Sequence, residues 1–283
     1  GTDNIDIESS TLNGVIVMNV PDGNTVSAAE HTMAMISTLS RNIQLGHMGL
    51  MNGNWDRHKL VGNELRRKTL GIVGLGKIGR EVIKRALSFD MNILGFDPYV
   101  NQEHFDESEI KVVSLDELTK NSDFISLHVP LNDATKDLFD LDRMKMMKET
   151  SKIINVARGG IINEQDLSKA LNKGIISGAA IDVFSKEPID KNHELLTAKN
   201  ILLTPHLGAS TVEAKEGVSL GVCQQMIEYF LNEKLLNVLN VPVSDSSILK
   251  RMAPFYKLTE KMGSILYQLS SSPIKNINVI CYG

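Results

Sequence analysis

With 283 residues, the chain exceeds an average single domain, so two lobes or one lobe with appendages is the expectation. An apolar share of 42% fills a sizeable core, and a formal net charge of −4 with both signs interspersed leaves no polyanion footprint and argues against nucleic acid. Cys223 and Cys281 have no scaffold or metal-ligand spacing, which fits a reducing cytoplasm without a metal site, and no stretch approaches the roughly 20 apolar residues of a membrane helix. The chain starts without Met in a loop-like stretch and stops after a strand-like run, so it reads as a piece of a longer protein.

Gly1 to Pro21 reads as a loop, a short polar helix and a buried strand, Val15 to Val20, halted by Pro21. Gly23 and Asn24 then break the chain. Ser27 and Glu30 have capping-box spacing and predict the start of a long helix with Met33, Ile36, Leu39 and Ile43 on one face. Met51 to Gly62 is irregular and holds the single Trp, Trp55, beside Arg57 and Lys59. It reads as a surface loop with one packed aromatic or as a subunit contact, since Trp and Arg are enriched at interface hot spots.

Thr69 to Asp97 organises the rest. An apolar run, Leu70 to Val73, leads into Gly74, Gly76 and Gly79 at G-x-G-x-x-G spacing. Helical periodicity follows through Ile78, Val82, Ile83 and Leu87, and a second apolar run, Ile93 to Phe96, ends at Asp97. A glycine triplet alone also suits an ordinary strand-turn-helix, but with a strand before, a helix after and an acid at the right distance it predicts a dinucleotide site. Gly74 makes the tight turn, Gly76 lets the backbone approach a pyrophosphate, and Gly79 lets the helix pack on the strand. The helix N-terminus, with Lys77 and Ile78, offers free amides to the diphosphate. Asp97 stands where a carboxylate accepts both ribose hydroxyls and repels a 2′-phosphate, so NAD is expected over NADP.

The alternation then continues. Ser114 and Glu117 predict a cap on a short helix, Asp123 to Val129 a strand ended by Pro130, and Asp140 to Lys148 a helix. Lys152 to Val156 predicts a strand, Asn163 to Asn172 a helix closed by Gly174, and Ser177 to Phe184 and Ile201 to Thr204 two more strands. Short, near-continuous apolar strands between helices predict an α/β fold, a doubly wound parallel sheet with its strand C-termini on one ligand-binding edge. Ser210 and Glu213 predict the cap of a long amphipathic helix bearing Val218, Val222, Met226 and Phe230, long enough to return across a lobe boundary. Asn240 to Ser247 reads as a linker. A helix with Leu249, Met252, Phe255, Leu258 and Met262 follows, and Ile274 to Tyr282 alternates like a strand.

Three polar residues stand just past strands of that sheet: Arg158, Glu187 and His206. Their loops can converge beside the nicotinamide half of a bound dinucleotide. Hydride transfer between NAD and an alcohol carbon needs an acid/base at oxygen, which histidine supplies near neutral pH. Glu187 would fix its tautomer and stabilise the imidazolium, and Arg158 would grip a substrate carboxylate. Singly, each has a plainer reading as a structural hydrogen-bonder, a solvated acid or a turn arginine. Asp182 ends an otherwise apolar strand, where a buried carboxylate needs partners, and a nicotinamide carboxamide is a natural donor.

The stretches G-N-T-V-S-A-A-E-H-T, G-K-I-G-R-E-V, N-V-A-R-G-G-I-I-N-E, G-A-A-I-D-V-F-S-K-E-P and T-P-H-L-G-A-S-T resemble the D-isomer-specific 2-hydroxyacid dehydrogenase family. The resemblance implies a remnant of a flavodoxin-like substrate domain over 1–21 and a Rossmann-type NAD-binding domain over 22–205 with a dimerisation loop near 47–62. It further implies a return helix within 206–240, then a linker and the start of a C-terminal α+β regulatory domain over 241–283. It assigns catalysis to Arg158, Glu187 and His206, nicotinamide contacts to Ala157 and Asp182, and the adenine to His128, Val129 and Pro130. Arg57 is implied to reach the substrate phosphate of a partner subunit, with Asn4 as a second substrate contact. A cytoplasmic homodimer or homotetramer that uses NAD on a small-molecule 2-hydroxy acid is therefore expected. The rivals are a glyoxylate or hydroxypyruvate reductase of the same family and an NAD-sensing, corepressor-like binding module. With most of the substrate lobe missing, the chain is expected to bind NADH with little turnover, and the Val218 to Phe230 face to be covered by a second subunit or the C-terminal segment.

Overall fold

Strands as apolar as these can only lie inside a sheet covered on both faces. The computed structural model, which describes residues 5–232, 234–241 and 246–270, shows how the chain arranges this. In chain order the elements are α1 (Ile7–Leu12), α2 (Thr25–Ser40), α3 (Ile43–Met51), β1 (Thr69–Val73), α4 (Lys77–Leu87), β2 (Asn92–Phe96), β3 (Lys111–Val112) and α5 (Leu115–Asn121). They continue with β4 (Phe124–Leu127), α6 (Leu141–Lys145), β5 (Lys152–Asn155), α7 (Glu164–Asn172), β6 (Gly178–Ile181), β7 (Ile201–Leu203), α8 (Val212–Asn232) and α9 (Ser246–Leu269). Two units result: Asp22–Val218, and Gly1–Pro21 together with Ser219–Gly283.

The Asp22–Val218 unit holds one seven-stranded sheet, ordered β3-β2-β1-β4-β5-β6-β7 with every pairing parallel. The chain order reverses between β1 and β4, the switch point of a doubly wound Rossmann sheet. Alternate residues of each strand face opposite cores. Leu70, Ile72, Phe124, Ile154 and Ala180 face the side covered by α2 and α4, whereas Val73, Ile125, Leu127, Ile153 and Ile181 face the side carrying α7. Each such fully buried Leu, Ile or Phe contributes roughly 1.5–3 kcal/mol relative to exposure, which is what holds the strands in register.

The terminal unit is built from polar capping and a few strand-like hydrogen bonds. Asp6 caps α1 by accepting from the Ser9 amide at 2.8 Å. Residues 15–20 run extended beside 237–240, tied by the Met18 and Val238 antiparallel bridge, by Leu239 N to Val17 O at 2.9 Å, and by Asn240 Nδ2 to Val15 O at 2.7 Å.

The expected strand Val15 to Val20 is thus an isolated bridge, and Val15 is 55% exposed: among the described residues no sheet lies beside it to bury its faces. The helix predicted from Ser27 starts at Thr25 behind Asn24, and Ser27 is buried, its hydroxyl 2.7 Å from that of Thr211. It stops at Ser40 rather than running through Ile43, because Asn42 takes the left-handed conformation (φ 53°) and α3 begins afresh. Thr211, not Ser210, caps α8, accepting from the Ala214 amide at 3.0 Å. Helix Asp140 to Lys148 is shorter than expected, with Asp140 as its cap, and the two-residue β3 has no signal in the sequence reading. The Ser114 and Asn163 caps form as expected, accepting from the Glu117 and Asp166 amides. Residues 274–282, part of the 240–247 linker, Cys281 and Asn4 lie outside the described residues.

Candidate active site

Register places the site. Phe96, Val73, Leu127, Asn155, Ile181 and Leu203 are successive partners across β2, β1, β4, β5, β6 and β7. The chain therefore leaves the sheet at the same level six times, and the next row is Asp97, Gly74, His128, Val156, Asp182 and Thr204. Every residue assigned to cofactor or catalysis lies in that row or within five residues of it.

The half nearest the switch point has the shape of a diphosphate cradle. Gly74 has φ 100°, and a Cβ there would lie 2.6 Å from the His128 carbonyl oxygen, so only glycine permits the turn. A Cβ on Gly79 would meet the Gly74 carbonyl oxygen at 2.2 Å, closer than Ile72 of the strand at 3.3 Å. Glycine here thus lets the helix approach both the turn and the strand, as expected. Gly76 has open space where a Cβ would point and caps α4 without a side chain. The first-turn amides of Lys77 and Ile78 lack intrahelical partners by geometry, so an anion fits there. The Ile78 side chain packs on the core, and the Lys77 ammonium pairs with exposed Asp22.

Asp97 accepts the Leu75 amide on Oδ2 and the Tyr99 amide on Oδ1, each at 2.9 Å. A carboxylate has about four lone-pair sites, so acceptor capacity remains for ribose hydroxyls while the acid also holds the glycine turn. Across the turn, His128 lies 2.9 Å from the Ser126 hydroxyl, and burial pushes its pKa down to about 4, which keeps it neutral at neutral pH. Half-buried Val129 and exposed Pro130 continue this wall beside Gly74.

The other half gathers the chemistry. Asn155, buried at the end of β5, accepts the Ala157 amide at 3.0 Å and donates to the Arg158 carbonyl at 2.8 Å, folding the chain back so that Arg158 leaves the sheet edge. The Arg158 guanidinium donates to the Ala157 carbonyl at 2.7 Å. A Cβ on Gly159 would lie 2.0 Å from the Phe184 backbone, so the loops after β5 and β6 touch main chain to main chain. Glu187 bridges the next pair of loops: Oε1 accepts the Phe184 amide at 3.0 Å, and Oε2 lies 2.6 Å from His206 Nδ1. The His206 and Glu187 side chains are 48% and 36% exposed, leaving Nε2 for an incoming group.

Asp182 is 0% exposed. It accepts from the Thr204 hydroxyl at 2.5 Å and from the Leu207 and Gly208 amides at 2.8 Å, and His31 Nε2 lies 3.2 Å away. Burial raises its pKa, but these hydrogen bonds outweigh burial and hold it below the usual carboxylate range. The partners that its burial demands therefore come from within the protein. Its carbonyl oxygen also accepts the His206 amide at 2.9 Å, and His206 adopts a left-handed φ of 55° that a non-glycine residue keeps only when its surroundings enforce it. Asp182 thus clamps the loop that presents His206.

Sequence reasoning missed Asn155, Thr204 and His31. Asn155 carried the signal that marked Asp182, a polar residue ending an apolar strand; His31 sits mid-helix with no local mark. Arg57 is not brought to this edge. It lies in the 3-10 turn Arg57–Lys59, and Lys59 lines a cavity of about 280 Å³ with Lys152, Ser177 and Asn200, which start or precede β5, β6 and β7 on the opposite edge of the sheet. Among the described residues, no group of three His, Cys, Asp or Glu could hold a metal ion.

Residues 33–208 match the family model described as D-isomer specific 2-hydroxyacid dehydrogenase, NAD binding domain. The chain is 41% identical to a D-3-phosphoglycerate dehydrogenase of Methanocaldococcus jannaschii, aligned over 100% of this chain and 54% of that protein. It is 38% identical to the enzyme of the same name from Bacillus subtilis, over 99% and 53% respectively. The chain thus spans about half the length of the curated relatives it matches. Among solved structures it is similar to D-lactate dehydrogenase of Aquifex aeolicus complexed with NAD and lactic acid, at 30% identity and TM-score 0.76 over 86% of this chain and 78% of that one. NAD-dependent formate dehydrogenase from Staphylococcus aureus in complex with NAD matches at 33% identity and TM-score 0.78, over 87% and 74%.

Proposed function

Because the chain belongs to the D-isomer-specific 2-hydroxyacid dehydrogenase family, we propose that it carries the NAD-binding and acid/base half of an enzyme oxidising D-3-phosphoglycerate to 3-phosphohydroxypyruvate, the opening of a phosphorylated route to serine. The observation that carries this reading is the Glu187–His206 pair at 2.6 Å, one loop from Arg158 on the edge that bears the glycine cradle. NAD, when bound, supplies the hydride acceptor. His206 Nε2 takes the proton of the substrate hydroxyl, Glu187 stabilises the resulting imidazolium through Nδ1, and Arg158 holds the substrate carboxylate. Ala157 and Asp182 lie where the nicotinamide would rest. The choice of phosphoglycerate over glyoxylate or hydroxypyruvate rests on likeness to the curated relatives.

The enzyme acts in this reading as a cytoplasmic homodimer or homotetramer; no described helix is long and apolar enough to cross a membrane. Met48, Leu50, Met51, Trp55 and Val61, in α3 and on either side of the Arg57 turn, are all exposed, which supports a subunit contact there. In this reading Arg57 makes its contribution to substrate in a neighbouring subunit. Val222, Met226 and Phe230 of α8 are also exposed and support assembly. Asn4 is the other assigned substrate contact in this reading.

The test has two arms. The 283-residue chain, titrated with NADH by fluorescence, should bind it with little turnover and sediment as a dimer or larger. Joined to the remaining half of the enzyme, it should reduce NAD with D-3-phosphoglycerate faster than with D-lactate, glycerate or glycolate. Faster turnover of an unphosphorylated acid would move the assignment to another member of the family, and NADH binding without turnover of any 2-hydroxy acid would favour the sensing module.

A further inference from the structure

Glu164 is the first residue of α7, yet it is not that helix's cap, which is supplied by Asn163 accepting from the Asp166 amide at 3.1 Å. Both oxygens reach outward. Oε1 accepts the Ser185 amide at 2.6 Å and the Ser185 hydroxyl at 2.9 Å. Oε2 lies 3.0 Å from His193 Nε2, and both side chains are largely buried, at 12% and 18% exposure. The Leu195 amide donates to His193 Nδ1 at 3.3 Å, so Nε2 carries the proton and donates to Glu164. The other charged group facing this imidazole is Glu194, 4.0 Å from Nδ1 on the same turn.

Ser185 lies two residues before Glu187, next to Phe184, whose amide Glu187 itself holds. The turn 184–187 is therefore pinned from inside by Glu187 Oε1 and from outside by Glu164, while the Gly159 backbone presses against Phe184 and Ser185. A carboxylate that must meet an imidazole nitrogen at 2.6 Å tolerates little freedom in its own turn, since misplacement by about 1 Å can cost 10²-fold in rate. We infer that Glu164, anchored by His193, is a positioning residue that sets the Glu187 carboxylate against His206, an assignment that rests on the acid/base role proposed above for that pair.

Imidazole NMR of His206 in the 283-residue chain tests this, beside amide exchange at Ser185. The readout at fixed neutral pH is solvent exchange of the His206 Nδ1 proton, which is slowed while that proton is donated to Glu187. Glu187→Ala, which removes the acceptor, should speed that exchange at least tenfold. Glu164→Ala should speed it in the same direction, about threefold or more, and speed Ser185 amide exchange at least tenfold; His193→Ala should give a smaller change in both and serves should Glu164→Ala not fold. If Glu187→Ala speeds the Nδ1 exchange while Glu164→Ala and His193→Ala leave it at the wild-type value, the inference is wrong and the catalytic pair stands. If Glu187→Ala leaves it unmoved, the pair itself fails and the inference with it.

Discussion

The two edges of one sheet are built differently. At the carboxyl edge, the loops after β1, β4, β5, β6 and β7 are tied to one another by polar side chains and close backbone contacts, and the groups proposed to meet a ligand are His206, Arg158, Asp97 and the glycine turn. At the amino edge lies a cavity lined in part by Lys59 of the Arg57–Lys59 turn, and Trp55, just before that turn, is 78% exposed. Under the proposed function, the difference teaches that chemistry falls to loops whose geometry is over-determined and association to surface that the chain leaves exposed. Changes at one edge should then leave the property of the other intact.

The largest effect belongs to the acid/base. In the chain joined to its substrate-binding half, His206→Asn should lower turnover by roughly 10² to 10⁴, with NADH affinity and assembly unchanged. A parallel loss of dimer would break the separation of the edges.

Acid should weaken the carboxyl edge next. His128 has a folded pKa of about 4 against roughly 6.5 unfolded, so the unfolded chain takes up a proton first as pH falls. Stability present above pH 6.5 is lost between about 6.5 and 4, by up to about 3 kcal/mol. Asp182, whose pKa is lowered, loses its contribution only below the unfolded carboxyl value and so stays out of this window. In urea titrations at pH 7 and pH 4.5, His128→Gln should show a smaller acid loss than wild type; equal losses would remove His128 from the account.

Asp97→Ala should weaken NADH binding by about 1.5–3 kcal/mol, the usual cost of hydrogen bonds to a charged group. The substitution also frees the Leu75 amide of the glycine turn. An unchanged dissociation constant in calorimetry would contradict the ribose assignment.

The smallest effect should fall at the other edge. Trp55→Ala should weaken self-association by about 2 kcal/mol, roughly 30-fold, without altering NADH affinity. Sedimentation across a concentration series measures the first and fluorescence the second; tighter association, or a change in NADH affinity, would refute the division.

Much of this was legible in one dimension. The apolar runs around Ile72, Ile125, Ile154 and Ala180 are period signals that burial on two faces demands, and Gly74 and Asp97 sit at spacings that covalent geometry fixes within one βαβ unit. That the loops carrying Arg158, Glu187 and His206 meet was readable because parallel strands end together. What the sequence could not declare depends on residues far apart in the chain. Ser27 looked like a cap until Thr211 took its hydroxyl, Val15 to Val20 looked like a strand for which no described sheet exists, and the partners of Asp182 proved to be Thr204, Leu207, Gly208 and His31 rather than a ligand alone. Local spacing decides where a helix, a strand or a glycine turn can form, because those interactions close within a few residues. Which donor satisfies a buried carboxylate, and which histidine is held in a left-handed turn against a carboxylate, is decided only when the sheet brings six loops to one row.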